Sequence, residues 1–219
     1  MRKLLDYGEV SLVDMMGDDI RVLQAARVST GSEVTKGEDQ DKKLIDYLMK
    51  NKHHTPFEKI VFEFYIKCPI FIARQWMRHR IGSYNEASAR YKEFKFEAYI
   101  PEQFRKQSKT NHQGSEIGDF DHDELRSIIA DTYDEILDAY EELLLSGVAR
   151  EIARLVLPMG IYTEFYWTVN FRSLMNFLNL RDHEHAQWEI QQYAKEIKKI
   201  ITEQNHFPLS WDAYLKYNT

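Results

Sequence analysis

Charged and polar side chains are concentrated in residues 78–91, which read RHRIGSYNEASARY. Between positions 74 and 92 there are five Lys or Arg and one Glu, so the local net charge is +4 (five minus one) in a chain whose formal net charge is -6. Arginine binds phosphate through two parallel N–H bonds, so this spacing favours a small phosphorylated ligand. A salt-bridged surface patch explains the same residues about equally well.

A second polar group follows the sequence NFRSLMNFLNLR at residues 170–181. Arg172 and Asn176 are one helical turn apart and share a face. Asparagine is a poor helix former, and its side chain offers a donor and an acceptor to the edge of a heterocycle. Taken alone, the pattern favours capping of the helix by Asn170 and ordinary surface polarity for the rest.

Several other chemistries find little support in the sequence. Neither of the glycine-rich phosphate-binding motifs, G-x-G-x-x-G and G-x-x-x-x-G-K-[ST], occurs in the chain. The histidine pairs His53–His54 and His183–His185 lack the spacing of a helical zinc motif, so we expect no metal site. Cys68 lies in a predicted apolar strand, where cysteine usually acts as a small hydrophobic residue.

Composition favours a folded protein with a core of ordinary size. The chain has 219 residues, of which 43% are hydrophobic, and we expect them to form a single domain over residues 1–219. The acidic balance argues against a broad nucleic-acid-binding face. The sequence has no run typical of a signal peptide or a membrane span, so we expect a cytoplasmic protein.

Hydrophobic periodicity predicts an α+β fold in which several helices cover a small mixed or antiparallel sheet. Residues 61–67 alternate between apolar and polar side chains, as a half-buried strand does. Residues 123–146 carry the longest apolar helical stripe. Residues 102–122 are polar, and we expect them to form an irregular, flexible insertion. Further strands are predicted at 9–16 and 161–169, and helices at 18–28, 39–51, 69–79, 148–157, 171–181, 186–201 and 207–217. The 78–91 stretch is predicted to begin at the end of the 69–79 helix and to continue into a turn, which holds its second half, after Tyr84.

The stretch 78–91 resembles the signature R-H-R-x-x-S-x-N-E-x-S-x-R-Y of the flavin-dependent thymidylate synthases, and all nine fixed positions match. The similarity covers nearly the whole chain. It extends to AARVS (25–29), HHTPFE (53–58), IARQW (72–76), REIARLVLP (150–158), NFRSLMNFLNLR (170–181) and HAQWEIQQYA (185–194).

This resemblance implies an α+β homotetramer with active sites at subunit interfaces. The implied enzyme binds FAD and methylates dUMP to dTMP for dTTP biosynthesis. The one-carbon unit comes from 5,10-methylenetetrahydrofolate and the reducing equivalents from NADPH. Neither nucleic acid nor a membrane is implied as a partner, and we find no motif that shows how the folate or NADPH docks.

The same resemblance implies roles for individual residues. The implied FAD contacts are Ser29, Thr55, Glu58, Arg78, His79, Arg80, Ile81, Glu86, Asn170, Phe171 through its backbone, Arg172 and Asn176. The implied dUMP contacts are Gln75, Arg78, Glu86, Ala87, Ser88, Ala89, Arg90, Arg154 and Arg181.

Two residues are candidates for catalysis. His53 is similar to a histidine near the flavin and the folate. Arg181 is our candidate for stabilising negative charge on the pyrimidine. Ser88 is assigned to substrate binding and not to nucleophilic attack, because a serine nucleophile needs a base in contact with it.

Two other functions fit parts of the sequence. A module that binds single-stranded nucleic acid would use the arginines together with Tyr84, Tyr91 and Phe94. A flavoprotein that reduces another pyrimidine nucleotide would use the same two groups of residues. A steep salt dependence of oligonucleotide affinity would favour the first of these, and a yellow purified protein would count against it.

Overall fold

The computed structural model describes residues 1–28, 31, 33–88, 96–108 and 114–218. The strands found in these residues are β1 Arg2–Leu4, β2 Gly8–Met16, β3 Val61–Pro69, β4 Ser83–Glu86, β5 Arg105–Gln107, β6 Ser115–Ile117 and β7 Tyr162–Asn170. The α-helices are α1 Asp19–Arg27, α2 Glu38–Lys50, α3 Ile70–Trp76, α4 His122–Leu145, α5 Arg150–Ala153, α6 Phe171–Arg181, α7 Trp188–Gln204 and α8 Pro208–Tyr217. Short 3-10 helices span Thr55–Lys59 and Arg154–Val156.

The main sheet has the strand order β1-β2-β3-β7-β4, and each pair of neighbouring strands is antiparallel. Phe62, Phe64 and Ile66 are fully buried on one face of β3, as the alternation of residues 61–67 predicts. The helices cover this face because it carries the apolar side chains. The predicted α+β fold is confirmed, and the sheet is antiparallel.

An aromatic cluster fixes α3 and α6 relative to the sheet. The ring of Trp76, at the end of α3, lies 4.7 Å from that of Phe177 in α6 and 5.4 Å from that of Trp167 in β7. All three side chains are fully buried. Burying aromatic rings of this size contributes strongly to the core. The C-terminal ends of α3 and α6 are therefore held side by side.

Side-chain caps define the start of two important helices. The backbone N–H of Ser173 donates to Asn170 Oδ1 at 2.9 Å, so Asn170 caps α6 as the capping interpretation predicts. The N–H of Glu124 donates to Asp121 Oδ1 at 3.0 Å and caps α4. The bounds of α4 agree with the long helix predicted at residues 123–146.

The structure corrects the expectation that the second half of the 78–91 stretch is a turn. Residues Ser83–Glu86 form β4, which pairs with the edge of β7. The ring of Tyr84 stacks on that of Trp167 at a centroid distance of 6.3 Å. Packing on β7 therefore holds this polar segment in an extended conformation.

The structure also corrects the expectation that residues 102–122 are irregular throughout. β5 and β6 pair as a two-stranded antiparallel ribbon. Arg105 Nε donates to Ser115 Oγ at 3.0 Å across this ribbon, and the Arg105 guanidinium forms an ion pair with Glu189 of α7. Cross-strand hydrogen bonds hold β5 and β6 together, and the Arg105–Glu189 ion pair holds this ribbon against α7. Its flexibility stays a prediction.

Among the helices of the described residues, none combines the length and the apolar character that crossing a membrane requires.

Candidate active site

Two cavities open beside the junction of α3 and α6. The first, which we name the arginine cavity, has a volume of about 750 Å³ and is lined by Gln75, Arg78, Arg105, Arg181, Gln187 and Glu189, among others. The second, which we name the histidine cavity, has a volume of about 430 Å³ and is lined by His54, Glu58, His79, Ile81, Arg172 and Asn176, among others. Both volumes lie in the range of small-molecule sites.

The arginine cavity carries an excess of positive charge. Arg105 is paired with Glu189, whose exposed fraction is only 2%. Burial, followed by the charge of Arg78, lowers the pKa of Arg181. Like charges this close repel each other, so an anion between them would be stabilised. The cavity is therefore suited to a phosphorylated ligand.

The polar wall of the arginine cavity joins α3 to the start of α7. Gln75 Nε2 donates to Gln187 Oε1, and Gln187 is the residue before α7 begins. This bond sets the orientation of the Gln75 amide. The second Nε2 hydrogen and the Oε1 atom of Gln75 can then donate to or accept from a heterocycle.

A hydrogen bond between side chains links the two cavities. Arg181 Nε donates to His79 Nε2 at a distance of 3.0 Å. Burial, followed by the positive charge of Arg181, lowers the pKa of His79 to about 4. The imidazole is therefore neutral at pH 7, and because Nε2 accepts, its proton resides on Nδ1.

The histidine cavity combines a guanidinium, a carboxylate and a neutral imidazole. Arg172 Nη1 lies 2.7 Å from Glu58 Oε1. Burial, followed by the charge of Arg172, lowers the pKa of His54. His54 Nε2 is buried and has no hydrogen-bond partner in the described part of the chain. Such a mixed set of groups suits a ligand that has both an anionic and a heterocyclic part.

The structure brings together two subsets of the predicted site residues. Gln75, Arg78 and Arg181, from the predicted dUMP set, line the arginine cavity. Glu58, His79, Ile81, Arg172 and Asn176, from the predicted FAD set, line the histidine cavity. Within the 78–91 stretch, Arg78 lines the arginine cavity, whereas His79 and Ile81 line the histidine cavity.

Other members of the predicted dUMP set lie elsewhere in the chain. Glu86 Oε1 accepts a hydrogen bond from Thr163 Oγ1 at 2.7 Å, and the N–H of Ala87 donates to Glu164 O at 2.8 Å. Ser88 and Arg154 likewise are not among the residues that line the arginine cavity. Ala89 and Arg90 fall outside the described residues.

The remaining members of the predicted FAD set are also dispersed. Thr55 lines a separate cavity between α1 and the 3-10 helix Thr55–Lys59. Arg80 is exposed. Phe171 is fully buried, and its backbone N–H donates to Ile60 O at 2.8 Å, so a ligand contact through its backbone cannot use that N–H without displacing this bond. Asn170 caps α6, and Ser29 falls outside the described residues.

The predicted catalytic residue His53 is exposed, and its ring packs edge-on to Tyr47 at a centroid distance of 5.8 Å. The histidine cavity is lined by its neighbour His54 instead. The role of His53 stays a prediction.

Among the lining residues that sequence reasoning missed are His54, Arg105, Gln187 and Glu189. Gln187 and Glu189 belong to the HAQWEIQQYA segment, which was recognised as similar to the family but given no role. Arg105 lies in the polar segment 102–122, where no sequence motif indicates a residue that lines a cavity.

The chain is similar to known proteins over nearly its whole length. Residues 11–208 match the family model described as thymidylate synthase complementing protein. The flavin-dependent thymidylate synthase of Thermosipho africanus is 53% identical over 219 residues, which cover 98% of this chain and 94% of the relative. That of Thermus thermophilus is 52% identical over 211 residues, which cover 96% of this chain and 77% of the relative.

A solved structure extends the likeness to the fold. The UMP/dUMP methylase PolB from Streptomyces cacaoi, bound with 5-Br dUMP, has a TM-score of 0.88 to this chain at 35% identity. The match covers 99% of this chain and 98% of PolB. By its sequence and its fold, this chain belongs to the flavin-dependent thymidylate synthase family.

Proposed function

We propose that this chain converts dUMP into dTMP by reductive methylation. It takes the one-carbon unit from 5,10-methylenetetrahydrofolate and the reducing equivalents from NADPH through FAD. The observation that carries the proposal is the pair of cavities that meet at the Arg181–His79 hydrogen bond. Hydride transfer between a flavin and a pyrimidine nucleotide needs two adjoining sites. The name of the relative from Thermosipho africanus and the ligand of PolB support this reading.

The arginine cavity suits dUMP. The phosphate dianion can take bidentate hydrogen bonds from guanidinium groups. Burial, followed by the charge of Arg78, lowers the pKa of Arg181, and a bound anion relieves the repulsion between the two guanidinium groups. The Gln75 amide is placed in the same cavity by Gln187 and can bond to a pyrimidine edge.

The route to methylation at C5 of the pyrimidine does not use a thiolate of this chain. C5 becomes nucleophilic when a nucleophile adds at C6. Cys68 is the single cysteine, it is fully buried in β3, and burial raises the pKa of its thiol well above the usual range. A reduced flavin, when bound, supplies a hydride for C6 instead.

We assign Arg181 to the stabilisation of negative charge that develops on the pyrimidine. A preorganised donor in a site that excludes water is commonly worth a few kcal/mol in the transition state. Arg181 is about half-buried, and its Nε bond to His79 fixes the guanidinium before the substrate arrives. The charge on Arg181 therefore needs little reorganisation during the reaction.

The side chains of the histidine cavity fit a flavin nucleotide. Arg172 stands in the first turn of α6, a turn without acidic residues, so the helix dipole and the guanidinium both favour a pyrophosphate. Asn176 lies one turn further along α6 and offers a donor and an acceptor to a heterocycle. We propose that Glu58, His79, Ile81, Arg172 and Asn176 hold FAD, with Ser29, Thr55, Arg78, Arg80, Glu86, Asn170 and the Phe171 backbone as further contacts.

Exposed apolar residues support assembly with further copies of the chain. Leu145, at the end of α4, is 89% exposed, and Ile128 in the same helix is 53% exposed. Ile152 and Leu155, around α5, are 53% and 76% exposed. α5 and the 3-10 helix Arg154–Val156 contact α4, and exposed apolar side chains on adjoining elements commonly mark an interface between proteins. We name Ile128, Leu145, Ile152 and Leu155 the α4–α5 surface.

The position of Arg154 connects this surface to the substrate site. Arg154 lies beside Leu155, is exposed, and does not line the arginine cavity of its own chain. We therefore propose a homotetramer with one catalytic domain per chain, in which a second copy supplies Arg154 and residues 86–90 to the dUMP site. His53 is proposed to lie near the flavin and the folate.

Two measurements test the function. The purified protein should show the visible absorption bands of a flavin, and it should form dTMP from dUMP when methylenetetrahydrofolate and NADPH are both present. Arg181→Ala should retain the flavin and lose dTMP formation. A protein that holds no flavin, either as purified or after reconstitution, would contradict the proposal, and normal turnover by Arg181→Ala would contradict the role of Arg181.

A further inference from the structure

His79 and Arg181 are 102 positions apart in sequence, yet their side chains meet where the two cavities adjoin. Arg181 is the last residue of α6, and His79 follows α3 after a short turn. The resemblance to the family suggests only a flavin contact for His79. The hydrogen bond to Arg181 shows that its imidazole also faces the substrate side.

The position of His79 is fixed from three sides. Its backbone N–H donates to Trp76 O at 3.0 Å, and its carbonyl accepts a hydrogen bond from the Tyr84 hydroxyl at 2.8 Å. Its ring packs edge-on to Phe177 at a centroid distance of 5.0 Å. Trp76 and Phe177 are fully buried, so they form a rigid support. The acceptor nitrogen therefore has a defined place in the fold.

The bond to His79 uses only one of the three nitrogens of Arg181. The two Nη groups remain for a ligand in the arginine cavity, and in the described part of the chain the bond to His79 is the only hydrogen bond from the Arg181 side chain. Without the bond to His79, the Arg181 side chain would populate several rotamers, and binding a ligand would cost conformational entropy. A fixed acceptor removes part of that cost.

We propose that His79 is a positioning residue for Arg181: its neutral imidazole orients the guanidinium toward dUMP, and it links the occupancy of the two cavities. This inference rests on the proposed role of the arginine cavity in binding dUMP. Because His79 also lines the histidine cavity, a ligand there that accepts a hydrogen bond from its Nδ1–H makes Nε2 a stronger acceptor for Arg181. Linkage then requires each ligand to raise the affinity of the other.

The first test measures dUMP binding by calorimetry, without turnover, in holoenzyme and in flavin-depleted protein. His79→Leu removes the acceptor and should weaken dUMP binding about tenfold, the size expected for a lost hydrogen bond to a charged group. His79→Gln keeps an acceptor near the Nε2 position and should bind dUMP within about threefold of the parent chain. His206→Leu, an exposed histidine outside both cavities, is the matched control and should not change the affinity.

A double-mutant cycle separates positioning from a flavin contact alone. If His79 acts through Arg181, His79→Leu should have no further effect on dUMP affinity in an Arg181→Ala background. Equal effects of His79→Leu in both backgrounds would overturn the inference. If wild-type protein does not bind dUMP at all, the proposed function fails instead, so the two failures are distinguishable.

A second pair of variants covers the case in which His79→Leu does not fold. His79→Asn reaches only the Nδ1 position, whereas His79→Gln reaches the Nε2 position. Positioning requires the Asn variant to bind dUMP about tenfold more weakly than the Gln variant. Equal affinities of the two variants would overturn the inference.

Discussion

Arg172 Nη1 lies 2.7 Å from Glu58 Oε1, and this ion pair joins the first turn of α6 to the 3-10 helix Thr55–Lys59. The two side chains are 53% and 31% exposed. Water screens an ion pair this exposed, which limits its contribution to stability to about 0–1 kcal/mol. The pair lies on the wall of the histidine cavity, so its main effect should be on ligand binding.

Replacing Arg172 should separate flavin binding from stability. Arg172→Ala removes the guanidinium at the α6 N-terminus, so we expect flavin occupancy to fall at least about tenfold, as for loss of a charge-assisted bond. We expect the free energy of unfolding to change by no more than about 1 kcal/mol. Visible absorbance per chain and urea unfolding measure the two quantities.

The ion pair between Lys216 and Asp46 offers a control for Arg172→Ala. It joins α8 to α2, and the Lys216 side chain is 57% exposed, close to that of Arg172. Lys216→Ala should leave flavin occupancy unchanged. Equal flavin occupancy in Arg172→Ala and Lys216→Ala would contradict a flavin-binding role for Arg172.

A buried ion pair, unlike the exposed Arg172–Glu58 pair, should contribute strongly to the free energy of unfolding. Arg27 Nη1 lies 2.7 Å from Asp41 Oδ1, and both side chains are 8% exposed. The backbone N–H of Lys36 also donates to Asp41 Oδ1 at 3.1 Å. Asp41→Asn keeps the shape but removes the negative charge that faces the buried Arg27 guanidinium, which should cost about 3 kcal/mol of unfolding free energy. Urea denaturation measures the loss.

Asp39→Asn is the control for Asp41→Asn. Asp39 is in the same first turn of α2 but is exposed, so its replacement removes only a favourable interaction with the helix dipole. We expect a loss of less than about 1 kcal/mol. Similar losses for the two variants would show that burial of the Arg27–Asp41 pair does not decide the effect.

The parts of the fold that were predictable are those with strong apolar periodicity. β3 alternates because Phe62, Phe64 and Ile66 must face the helices, and this pattern is visible in the sequence. β4 was not predictable in the same way, since Tyr84 is its only residue that is not exposed. The edge of β7 makes β4 a strand, and an edge contact of that kind leaves no local pattern.

The candidate site also contains residues that the sequence indicates and contacts that it does not. The RHR stretch and the NFRSLMNFLNLR segment indicate Arg78, His79, Arg172 and Arg181, but no sequence spacing shows that Arg181 reaches His79 across 102 positions. Tertiary packing of Trp76 on Phe177 produces that contact. The place of Arg105, Gln107 and Ser115 on the wall of the arginine cavity depends on the ion pair between Arg105 and Glu189 of α7, and this too is non-local.

The lowered pKa of His79 predicts a pH dependence of stability. Unfolded His79 binds a proton below about pH 6.5, whereas folded His79 binds one only below about pH 4. Between these values the unfolded state holds more protons, so the free energy of unfolding falls as the pH falls through this window. His54, whose pKa is also lowered, acts in the same direction.

Urea unfolding of the parent chain and of His79→Gln, between pH 7 and about pH 4, measures this contribution. The variant lacks the titrating group, so its stability should fall less over the same range. Carboxylates elsewhere affect both proteins alike and cancel in the comparison. Parallel curves for the two proteins would show that His79 is not held neutral by the fold.

Replacing Ser88 tests whether a hydroxyl serves as nucleophile. The nearest carboxylate in sequence, Glu86, accepts a hydrogen bond from Thr163 Oγ1 at 2.7 Å, so it is engaged within the sheet. We expect Ser88→Ala to retain turnover, with a loss of dUMP affinity of about tenfold or less, as for one hydrogen bond. Steady-state kinetics with dUMP separates kcat from KM. Complete loss of kcat with unchanged dUMP affinity would contradict the assignment.

The α4–α5 surface predicts that one substitution should disrupt both assembly and catalysis. Leu155 is 76% exposed in the single chain and lies beside Arg154. Leu155→Glu would place a charge in an apolar interface, where an unpaired charge is strongly unfavourable. We expect its mass by light scattering to fall below that of four chains, and dTMP formation to be lost because no second copy supplies Arg154. Ile20→Glu puts the same charge on an exposed apolar residue of α1 and should change neither property. A dissociated Leu155→Glu chain with full activity would show that the substrate site is complete within one copy.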